Sequence, residues 1–509
     1  MTYLLAAVDL GSNSFRLVVG RVAQDTHPPH IHLLDRMKET VRLAAGLDQR
    51  SRLDEDAIRR ALAVLERFGE RLRNFHPDRV RAVATNTFRV ATNAHEFLPR
   101  AEAALGFPID VISGHEEARL IYTGVSHCLP QSDQRRLIVD IGGGSTELII
   151  GRGHEPELME SVPIGCVSLS KRFFADGRIT ATRMKHAEVA ARELVEPIAQ
   201  RFRQAGWSYA YGSSGTAKAL AAILPATGFS RNGITPAGLE KLRRRLIEAG
   251  TVEAAHLQDL RPGRIPVLPG GLAVMRAIFE ELPIEHMAPA DGALRVGVLY
   301  DLLGRVDARD LRNETVRRFM TRYEVDTEQA ARVRRLSLGF YEAIANTPPG
   351  AAGYRVPGAP RRAETAELGQ LLGWAADLHE IGLSIAHAGH QQHTAYILAH
   401  ADMPGFSKDE QRILAALGAG QSGKISTADL ALESDDEWDA LLSLRLAVLL
   451  ARRREDVDTS LFRLTRAPQG ANLQVAEHWL RQHPLTAHAL EAEARTWRKL
   501  KRPLEILAA

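Results

Sequence analysis

The sequence predicts an α/β protein with a duplicated core, followed by a mostly helical region. Its 509 residues exceed what one hydrophobic core usually holds, so two to four domains are expected. A strand–turn–strand segment occurs twice in the first third of the chain, and from about Val306 helical periodicity replaces the glycine-rich turns. With 45% hydrophobic and 25% charged residues, the composition is that of a folded, soluble protein.

The repeat joins residues 8–21, VDLGSNSFRLVVGR, and residues 139–152, VDIGGGSTELIIGR, which share 7 of 14 positions. Each copy begins as an apolar strand, ends that strand on an aspartate, turns through glycine and serine, and continues as a second apolar strand. This pattern predicts a β-hairpin with Asp9 or Asp140 at the end of its first strand. Two such hairpins 131 residues apart indicate two related domains with a cleft between them.

Local signals place the other elements. Asp54 is a predicted N-cap for a helix with apolar residues at helical spacing, and Gly206 ends a predicted helix over residues 180–205. The remaining predictions are strands at residues 80–84, 109–112 and 209–211, helices at residues 293–303, 328–346 and 367–379, an exposed loop at residues 348–360, and a small mixed unit within residues 459–479.

Bulk properties exclude several classes of protein. Lysine plus arginine number 65 against 62 acidic residues, and this near balance argues against a nucleic-acid binder that relies on overall charge. Only two cysteines are present, which allows no disulfide framework and no zinc cluster. No apolar run approaches the roughly 20 residues that span a bilayer. We expect a cytoplasmic protein, and peripheral membrane association is left open.

The two hairpin turns are candidate phosphate loops, because glycines let successive backbone N–H groups converge on one anion. A carboxylate beside such a loop can hold Mg²⁺ next to bound phosphate. Ordinary hairpin turns are the alternative, and the matching register of two copies favours the functional interpretation. Neither turn has the Gly-Lys-Ser/Thr of a P-loop or the dinucleotide fingerprint. The candidate residues are Asp9, Ser12, Asn13, Ser14, Asp140, Gly142, Gly143, Gly144, Ser145 and Thr146.

Further candidates lie outside the loops. Glu116 and Glu117 enter a predicted helix, where a carboxylate either complements the helix dipole or serves as a general base, and the residues leave both open. Glu147 follows the second loop, whereas Arg16 holds the equivalent place after the first. Arg89 is either a phosphate clamp or a solvated arginine. The turn containing Ser214, Gly215 and Thr216 is a third source of donors to an anion.

His379 and Glu380 form a histidine–acid pair followed by several more histidines. Adjacent His-Asp on a helix ligates paired metals in metal phosphohydrolases. Glutamate has a longer arm than aspartate, so the pattern favours a structural copy of such a site over a working one.

Five motifs in this order, VDLGSNSFRLVV, SGHEEARLIYTGV, VDIGGGSTELIIG, GSSGTAKAL and DGALRVGVLYDL, resemble the exopolyphosphatase / guanosine pentaphosphate phosphohydrolase (Ppx/GppA) family. The resemblance covers nearly the whole chain. It implies duplicated actin/Hsp70-like (ribonuclease H-like) ATPase-type domains, then a helical HD-like domain and a small C-terminal α/β unit. The implied boundaries are residues 1–120, 121–306, 307–435 and 436–509.

The resemblance also implies an activity, which is the metal-dependent release of terminal orthophosphate from inorganic polyphosphate. It assigns Glu117 as the base that activates water and Asp9, Asp140 and Glu147 as acids associated with Mg²⁺ or another divalent cation. The loop residues named above, Arg89, and the segment from Ser214 to Thr216 would contact phosphate. A homodimer is expected, and no nucleic-acid partner.

Three further functions stay open. Removal of the 5′-phosphate of pppGpp, giving ppGpp, is the sister activity: the GGGST loop favours polyphosphate, while VRLAAGL at residues 41–47 resembles the guanosine-pentaphosphatase branch. A kinase of the same superfamily would bind ATP and release no phosphate from polyphosphate. A non-enzymatic nucleotide sensor or scaffold would use the HD-like half for binding.

Overall fold

The computed structural model describes residues 3–23, 30–130, 132–306, 310–345, 361–425, 430–467 and 469–509, with the side chains of residues 23, 30, 306 and 361–366 excepted. The chain divides into two compact units, Met1–Leu311 and Arg312–Ala509. The predicted loop at residues 348–360 and the proline at position 468 lie outside the described residues. The four-domain division stays a prediction.

The first unit begins with a five-stranded sheet of order β3-β2-β1-β4-β5. Strands β1, β2 and β3 are antiparallel, and β1, β4 and β5 are parallel. The strands are β1 (Tyr3–Leu10), β2 (Ser14–Ala23), β3 (His30–Thr40), β4 (Val80–Ala84) and β5 (Ile109–Val111), and the helices are α1 (Glu55–Leu72), α2 (Asn86–Val90) and α3 (Ala94–Leu105).

A second five-stranded sheet follows in the same unit, with order β10-β9-β6-β7-β8. Its strands are β6 (Arg136–Ile141), β7 (Thr146–Arg152), β8 (Glu155–Val162), β9 (Tyr209–Ser213) and β10 (Met287–Pro289). The helices of this part are α4 (Gly114–Ser126), α5 (Cys166–Phe173), α6 (Ala181–Ala205), α7 (Ser214–Ala226), α8 (Pro236–Ala249), α9 (Leu268–Glu281) and α10 (Leu294–Val306).

The two sheets have the same topology. Reading the second sheet as β8-β7-β6-β9-β10 reproduces the order of the first, with an antiparallel hairpin on one side of a central strand and parallel strands on the other. This order is that of the ribonuclease H-like domains of the actin/Hsp70 class. The predicted duplication and fold class are therefore confirmed.

Capping residues fix the helix boundaries that the sequence predicted. The Asp54 carboxylate accepts a hydrogen bond from the Ala57 backbone N–H at 2.6 Å and begins α1. The Thr180 hydroxyl accepts from the Arg183 N–H at 3.2 Å and begins α6, which ends at Gly206 with a φ of 67°. The helix predicted at residues 293–303 is present as α10, beginning one residue later and running further.

Helices α4 and α10 cross at very short range. A Cβ at Gly297 would lie 1.7 Å from the Leu120 carbonyl oxygen, and one at Gly124 would lie 2.3 Å from the Ala293 carbonyl oxygen. Both positions therefore require glycine, because only a residue without a side chain allows the two backbones this close.

Beside that crossing lies a buried arginine–carboxylate network. Asp301 of α10 accepts from Arg119 at 2.5 Å and from Arg305 at 3.0 Å, and it also pairs with Arg81 of β4. Arg119 in turn donates to both carboxylate oxygens of Glu116, at 2.7 and 2.8 Å. The network ties the first turn of α4 to α10 and to the first sheet.

The second unit is mostly helical, as predicted. A three-stranded sheet of order β11-β12-β13 accompanies the helices. The predicted mixed unit near residues 459–479 corresponds to the β11–β12 hairpin, and β13 adds a parallel strand from the end of the chain. The elements are α11 (Leu311–Arg322), α12 (Thr327–Ala345), α13 (Arg361–Asp377), α14 (His390–His400), α15 (Lys408–Gly420), α16 (Asp435–Leu450), β11 (Phe462–Ala467), β12 (Gly470–Val475), α17 (Glu477–Gln482), α18 (Pro484–Lys499) and β13 (Leu504–Ala508).

None of the helices in the described part of the chain combines the length and the apolar character needed to cross a membrane.

Candidate active site

The two hairpins have the same geometry and different chemistry. In the first, Asp9 on β1 pairs with Arg16 on β2, and in the second, Asp140 on β6 pairs with Glu147 on β7. Each aspartate is next to last in its strand, so one apolar residue separates it from the glycine turn. The register confirms the predicted exchange of a base for an acid between the copies.

Both turns line one cavity of about 110 Å³, which we call the loop cavity. It is small and polar, as a site for phosphate groups and one water must be. The candidate residues that line it are Asp9, Ser12, Asn13, Ser14, Glu117, Asp140, Gly142, Gly143, Ser145, Ser214 and Gly215.

Glu117 enters the loop cavity from the first turn of α4. That turn is fixed because the Ser113 hydroxyl caps the helix by accepting from the Glu116 N–H at 3.1 Å. The Glu117 side chain is 10% exposed, and its carboxylate accepts a hydrogen bond from Arg89 at 2.9 Å. Arg89 also donates to the Ile112 carbonyl at 2.9 Å, so its guanidinium is held in place and does not line the cavity.

Burial raises the pKa of Glu117 to about 7. Arg89 opposes this shift, whereas the negative charges of Asp9 and Asp140 add to it. A carboxylate with a pKa near the working pH exists as both acid and base, which is the property that a general base requires.

Asp9 and Asp140 are the two loop aspartates of the cavity. Burial raises the pKa of each, while the nearby charges of Arg16 and Arg295 lower it. The Ser213 and Ser214 hydroxyls donate to the carbonyls of Gly292 and Ile141, both at 2.9 Å. Repulsion between the two aspartates is one reason for the raised pKa of Asp9. A divalent cation would relieve it, and carboxylate oxygens are the ligands that Mg²⁺ prefers.

No three His, Cys, Asp or Glu side chains converge closely enough to hold a metal by themselves, as far as the structure describes the chain. Mg²⁺ commonly binds through one or two carboxylates together with water and substrate phosphate, and Asp9 and Asp140 are two carboxylates of the cavity lining. Glu147 is separated from the cavity lining: its carboxylate accepts from the Ser161 hydroxyl at 2.9 Å. Burial and the nearby Glu117 raise its pKa well above the usual value.

Three other predicted phosphate contacts do not line the cavity. The Thr146 hydroxyl donates to the Ile164 carbonyl at 2.6 Å, and that of Thr216 to the Ile141 carbonyl at 3.2 Å, so both brace the loops. Gly144 leaves room for Asn86, whose amide nitrogen lies 2.1 Å from where a Cβ would be. In this conformation these three residues support the loops from outside the cavity and do not face a bound phosphate.

Sequence reasoning missed a cluster of cations. Arg16 and Arg264 line the loop cavity, and Lys38 and Arg295 lie close enough to these arginines for their charges to interact. Burial together with neighbouring positive charge lowers the pKa of Lys38, Arg264 and Arg295. The negative charges of Asp9 and Asp140 offset part of this positive charge, so the cavity has a wall of mixed charge in which cations outnumber the two aspartates.

Comparison with known proteins decides the family. The sequence model of the Ppx/GppA phosphatase family matches residues 18–306, and that of Ppx/GppA phosphatase domain III matches residues 311–494. The chain belongs to the Ppx/GppA phosphatase family. Membership implies hydrolysis of a phosphoanhydride bond.

Solved structures resemble a part of this Ppx/GppA chain. An exopolyphosphatase from Cytophaga hutchinsonii is 24% identical with a TM-score of 0.53, and the match covers 60% of this chain and 98% of that one. An exopolyphosphatase-like protein is 26% identical, also with a TM-score of 0.53, covering 60% of this chain and 99% of that one. The remaining 40% of this chain has no counterpart in either.

The segment of this Ppx/GppA protein that resembles the guanosine-pentaphosphatase branch lies against the first loop. The backbone N–H groups of Val41 and Arg42 donate to the Asn13 carbonyl at 3.1 and 2.9 Å, and that of Ala44 donates to the Ser12 carbonyl at 2.9 Å. The backbone of residues 41–44 therefore helps to fix the conformation of the first loop.

The His379–Glu380 pair lies in the second unit. His379 is buried, and Glu380 accepts from Arg454 at 2.7 Å. The pair belongs to no set of three metal-ligating side chains among the residues described. Of the histidines that follow, His387 and His390 line the same cavity as His379.

Proposed function

We propose that this protein is an exopolyphosphatase that hydrolyses the terminal phosphoanhydride bond of inorganic polyphosphate, with Glu117 as the general base. The observation that carries the proposal is the composition of the loop cavity. Two glycine loops, a buried glutamate with a pKa of about 7 and an arginine-rich wall line a space of phosphate size.

The loops supply charge stabilisation for the terminal phosphate. Gly142, Gly143 and Ser145 in one turn, and Ser12 and Asn13 in the other, can direct backbone and side-chain donors at its oxygens. Phosphoryl transfer depends chiefly on alignment and charge neutralisation, so this arrangement supplies most of what the reaction needs.

Glu117 orients a water molecule against the terminal phosphorus and takes its proton. The Arg89 hydrogen bond leaves the other carboxylate oxygen, Oε1, for that water. Asp9 and Asp140 would hold Mg²⁺, and Glu147, outside the cavity lining, would add negative charge near the ion. When bound, the ion neutralises charge on the phosphate oxygens.

The cationic cluster supports a long substrate. Inorganic polyphosphate carries negative charge on every unit, and Arg16, Lys38, Arg264 and Arg295 would interact with units behind the terminal one. This is the reason to favour polyphosphate.

Hydrolysis of pppGpp is the second candidate, favoured by the position of residues 41–44 against the first loop. Orthophosphate release from long-chain polyphosphate and from pppGpp should be compared with one preparation at equal Mg²⁺. We expect the higher kcat/KM with polyphosphate. A higher kcat/KM with pppGpp would assign the protein to the sister activity.

Orthophosphate release also distinguishes a hydrolase from a kinase and from a non-enzymatic binder. A kinase would transfer phosphate from ATP to an acceptor and release none from polyphosphate. A non-enzymatic binder would release none from either substrate, and the wild type and Glu117→Gln would then behave alike.

A further inference from the structure

Thr85 lies in the turn between β4 and α2 and lines the loop cavity. It is 3% exposed. A threonine that directly precedes a helix usually caps it by accepting a hydrogen bond from a backbone N–H. The Thr85 hydroxyl does not cap α2, and no other polar group in the described part of the chain bonds it. A buried hydroxyl without a partner is unfavourable, so this one calls for a polar molecule in the cavity.

Two other threonine hydroxyls have partners within the protein. In the same segment, the Thr87 hydroxyl donates to the Ser12 hydroxyl at 2.8 Å. At the start of α6, the Thr180 hydroxyl accepts from the Arg183 N–H at 3.2 Å, and Thr180 is not part of the loop-cavity lining. Thr85 differs from both, because its hydroxyl is left for a molecule in the cavity.

The backbone places Thr85 between the first loop and the proposed general base. In the parallel pairing of β1 and β4, Leu10 lies beside Ala84, and the Thr85 N–H donates to the Leu10 carbonyl at 3.4 Å. This contact sets Thr85 beside the start of the first loop. The Thr85 carbonyl accepts from the Arg89 N–H at 3.3 Å, and the Arg89 guanidinium donates to Glu117. Thr85 therefore borders the space that a nucleophile must occupy between the base and the phosphorus.

We propose that the Thr85 hydroxyl is a catalytic group that orients the nucleophilic water together with Glu117. The water donates one hydrogen to the Glu117 carboxylate and the other to Thr85 Oγ1. Two fixed acceptors leave a lone pair of the water oxygen directed at the terminal phosphorus. The inference rests on the proposed hydrolysis of polyphosphate, and it adds a second group that contacts the water.

The reaction balances without another reactant. The water oxygen forms a bond to the terminal phosphorus, and Glu117 takes the hydrogen that pointed at it as a proton. The bond between that phosphorus and the bridging oxygen breaks, and its electron pair leaves with the shortened chain. Thr85 neither gains nor loses a proton. The products are orthophosphate and a polyphosphate that is one unit shorter.

The same substitution at Thr85 and at Thr180 tests the proposal. Thr85→Val removes an unpaired hydroxyl at similar volume. It should lower kcat for orthophosphate release from polyphosphate by about 10²-fold, because the water loses its alignment, and it should leave KM and Tm unchanged. Thr180→Val removes a helix cap, so Tm should fall while kcat stays at the wild-type value. Thr85→Ser keeps the hydroxyl and should restore most of the kcat.

Three results would overturn the proposal. The first is full kcat in Thr85→Val. The second is a raised KM at unchanged kcat, which would make Thr85 a contact of the bound phosphate. The third is a lowered Tm with lost kcat in both Thr85→Val and Thr85→Ser, which would make its role structural.

Wild type and Glu117→Gln, measured alongside, separate this inference from the proposed function. If the wild type releases no orthophosphate, the hydrolase proposal fails and takes the role of Thr85 with it. If the wild type is active and Glu117→Gln is inactive, but Thr85→Val retains full kcat, the hydrolase proposal stands and only the role of Thr85 is wrong.

Discussion

Glu116 and Glu117 are neighbours in the first turn of α4, and the two sides of that turn have opposite electrostatics. On one side, the Arg119 guanidinium donates to both carboxylate oxygens of Glu116, and the Arg81 guanidinium lies 3.9 Å away. On the other, Glu117 faces two aspartates and a single arginine, and its pKa rises to about 7. The comparison indicates that the network anchors the helix, whereas the loop cavity leaves the Glu117 carboxylate with the raised pKa that the proposed general base requires.

The largest expected effect comes from Glu117→Gln. It should lower kcat for orthophosphate release from polyphosphate by about 10²–10⁴-fold, because general-base catalysis contributes that much. Folding should not suffer, since the raised pKa of Glu117 means that ionisation costs stability above pH 7. The measurement is kcat at saturating polyphosphate, with Tm recorded at pH 8.

Glu116→Gln is the matched control. It should lower Tm, because Arg119 would lose a charged partner, and it should retain most of the kcat. If Glu116→Gln abolished turnover at unchanged Tm, or Glu117→Gln kept full turnover, the division of roles between the two glutamates would be wrong.

Asp301→Asn tests the structural role of the arginine–carboxylate network on the Glu116 side of α4. The change leaves Arg81, Arg119 and Arg305 without their shared anion, and these arginines hold the pKa of Asp301 far below its usual range. Stability should fall by about 3–5 kcal/mol, measured by urea denaturation. Asp291→Asn removes a solvent-exposed pair with Lys218 and should change stability by less than about 1 kcal/mol. Equal losses in the two variants would contradict the structural role of the network.

The pH profile of kcat/KM for the wild type tests the raised pKa of Glu117. Because Glu117 must be deprotonated to accept a proton from water, kcat/KM should rise with pH and level off above an inflection near 7. Arg89→Gln removes a charge that lowers this pKa, so the inflection should move upward by about one unit. Arg100→Gln, an exposed arginine paired with Glu55, should leave the inflection where it is. A downward shift in Arg89→Gln would refute the assignment.

The smallest expected effect concerns the cationic cluster. Lys38→Gln should raise the KM for long polyphosphate about threefold and leave kcat unchanged, because it removes attraction for units behind the reacting one. The difference should shrink as salt is added. Lys241→Gln serves as the control, because Lys241 lies on α8 and is not one of the cations of the cluster. A change in kcat without a change in KM would place Lys38 in the chemistry instead.

Local features of the fold were predictable because their causes are local. Asp54, Thr180 and Gly206 set helix ends through contacts within three or four residues, and the two hairpins follow from alternating apolar residues around a glycine turn. The strand β13 was not predicted, since its partner β12 lies about 30 residues earlier and nothing near residue 504 signals the pairing.

The candidate site also contains residues that sequence motifs predict and residues that only the tertiary fold reveals. Both loops and Glu117 carry sequence motifs, and the structure brings them to one cavity. Arg264 comes from a distant segment without a motif, and Arg295 belongs to the motif DGALRVGVLYDL but was not singled out within it, so only the tertiary fold shows that both reach the loops. Conversely, Thr146 and Thr216 belong to motifs, but their hydroxyls are engaged by backbone carbonyls, which sequence alone cannot show.

The close crossing of α4 and α10 at Gly124 and Gly297 makes the position of Glu117 sensitive to any added side chain at these two glycines. Main-chain atoms fill the space on both sides, so a single methyl group at either position forces the helices apart. Helix α4 carries Glu117 in its first turn, and the separation of the helices would change the direction of that carboxylate as well. Mutational surveys of such enzymes should therefore find rate defects at two residues that touch neither phosphate nor water.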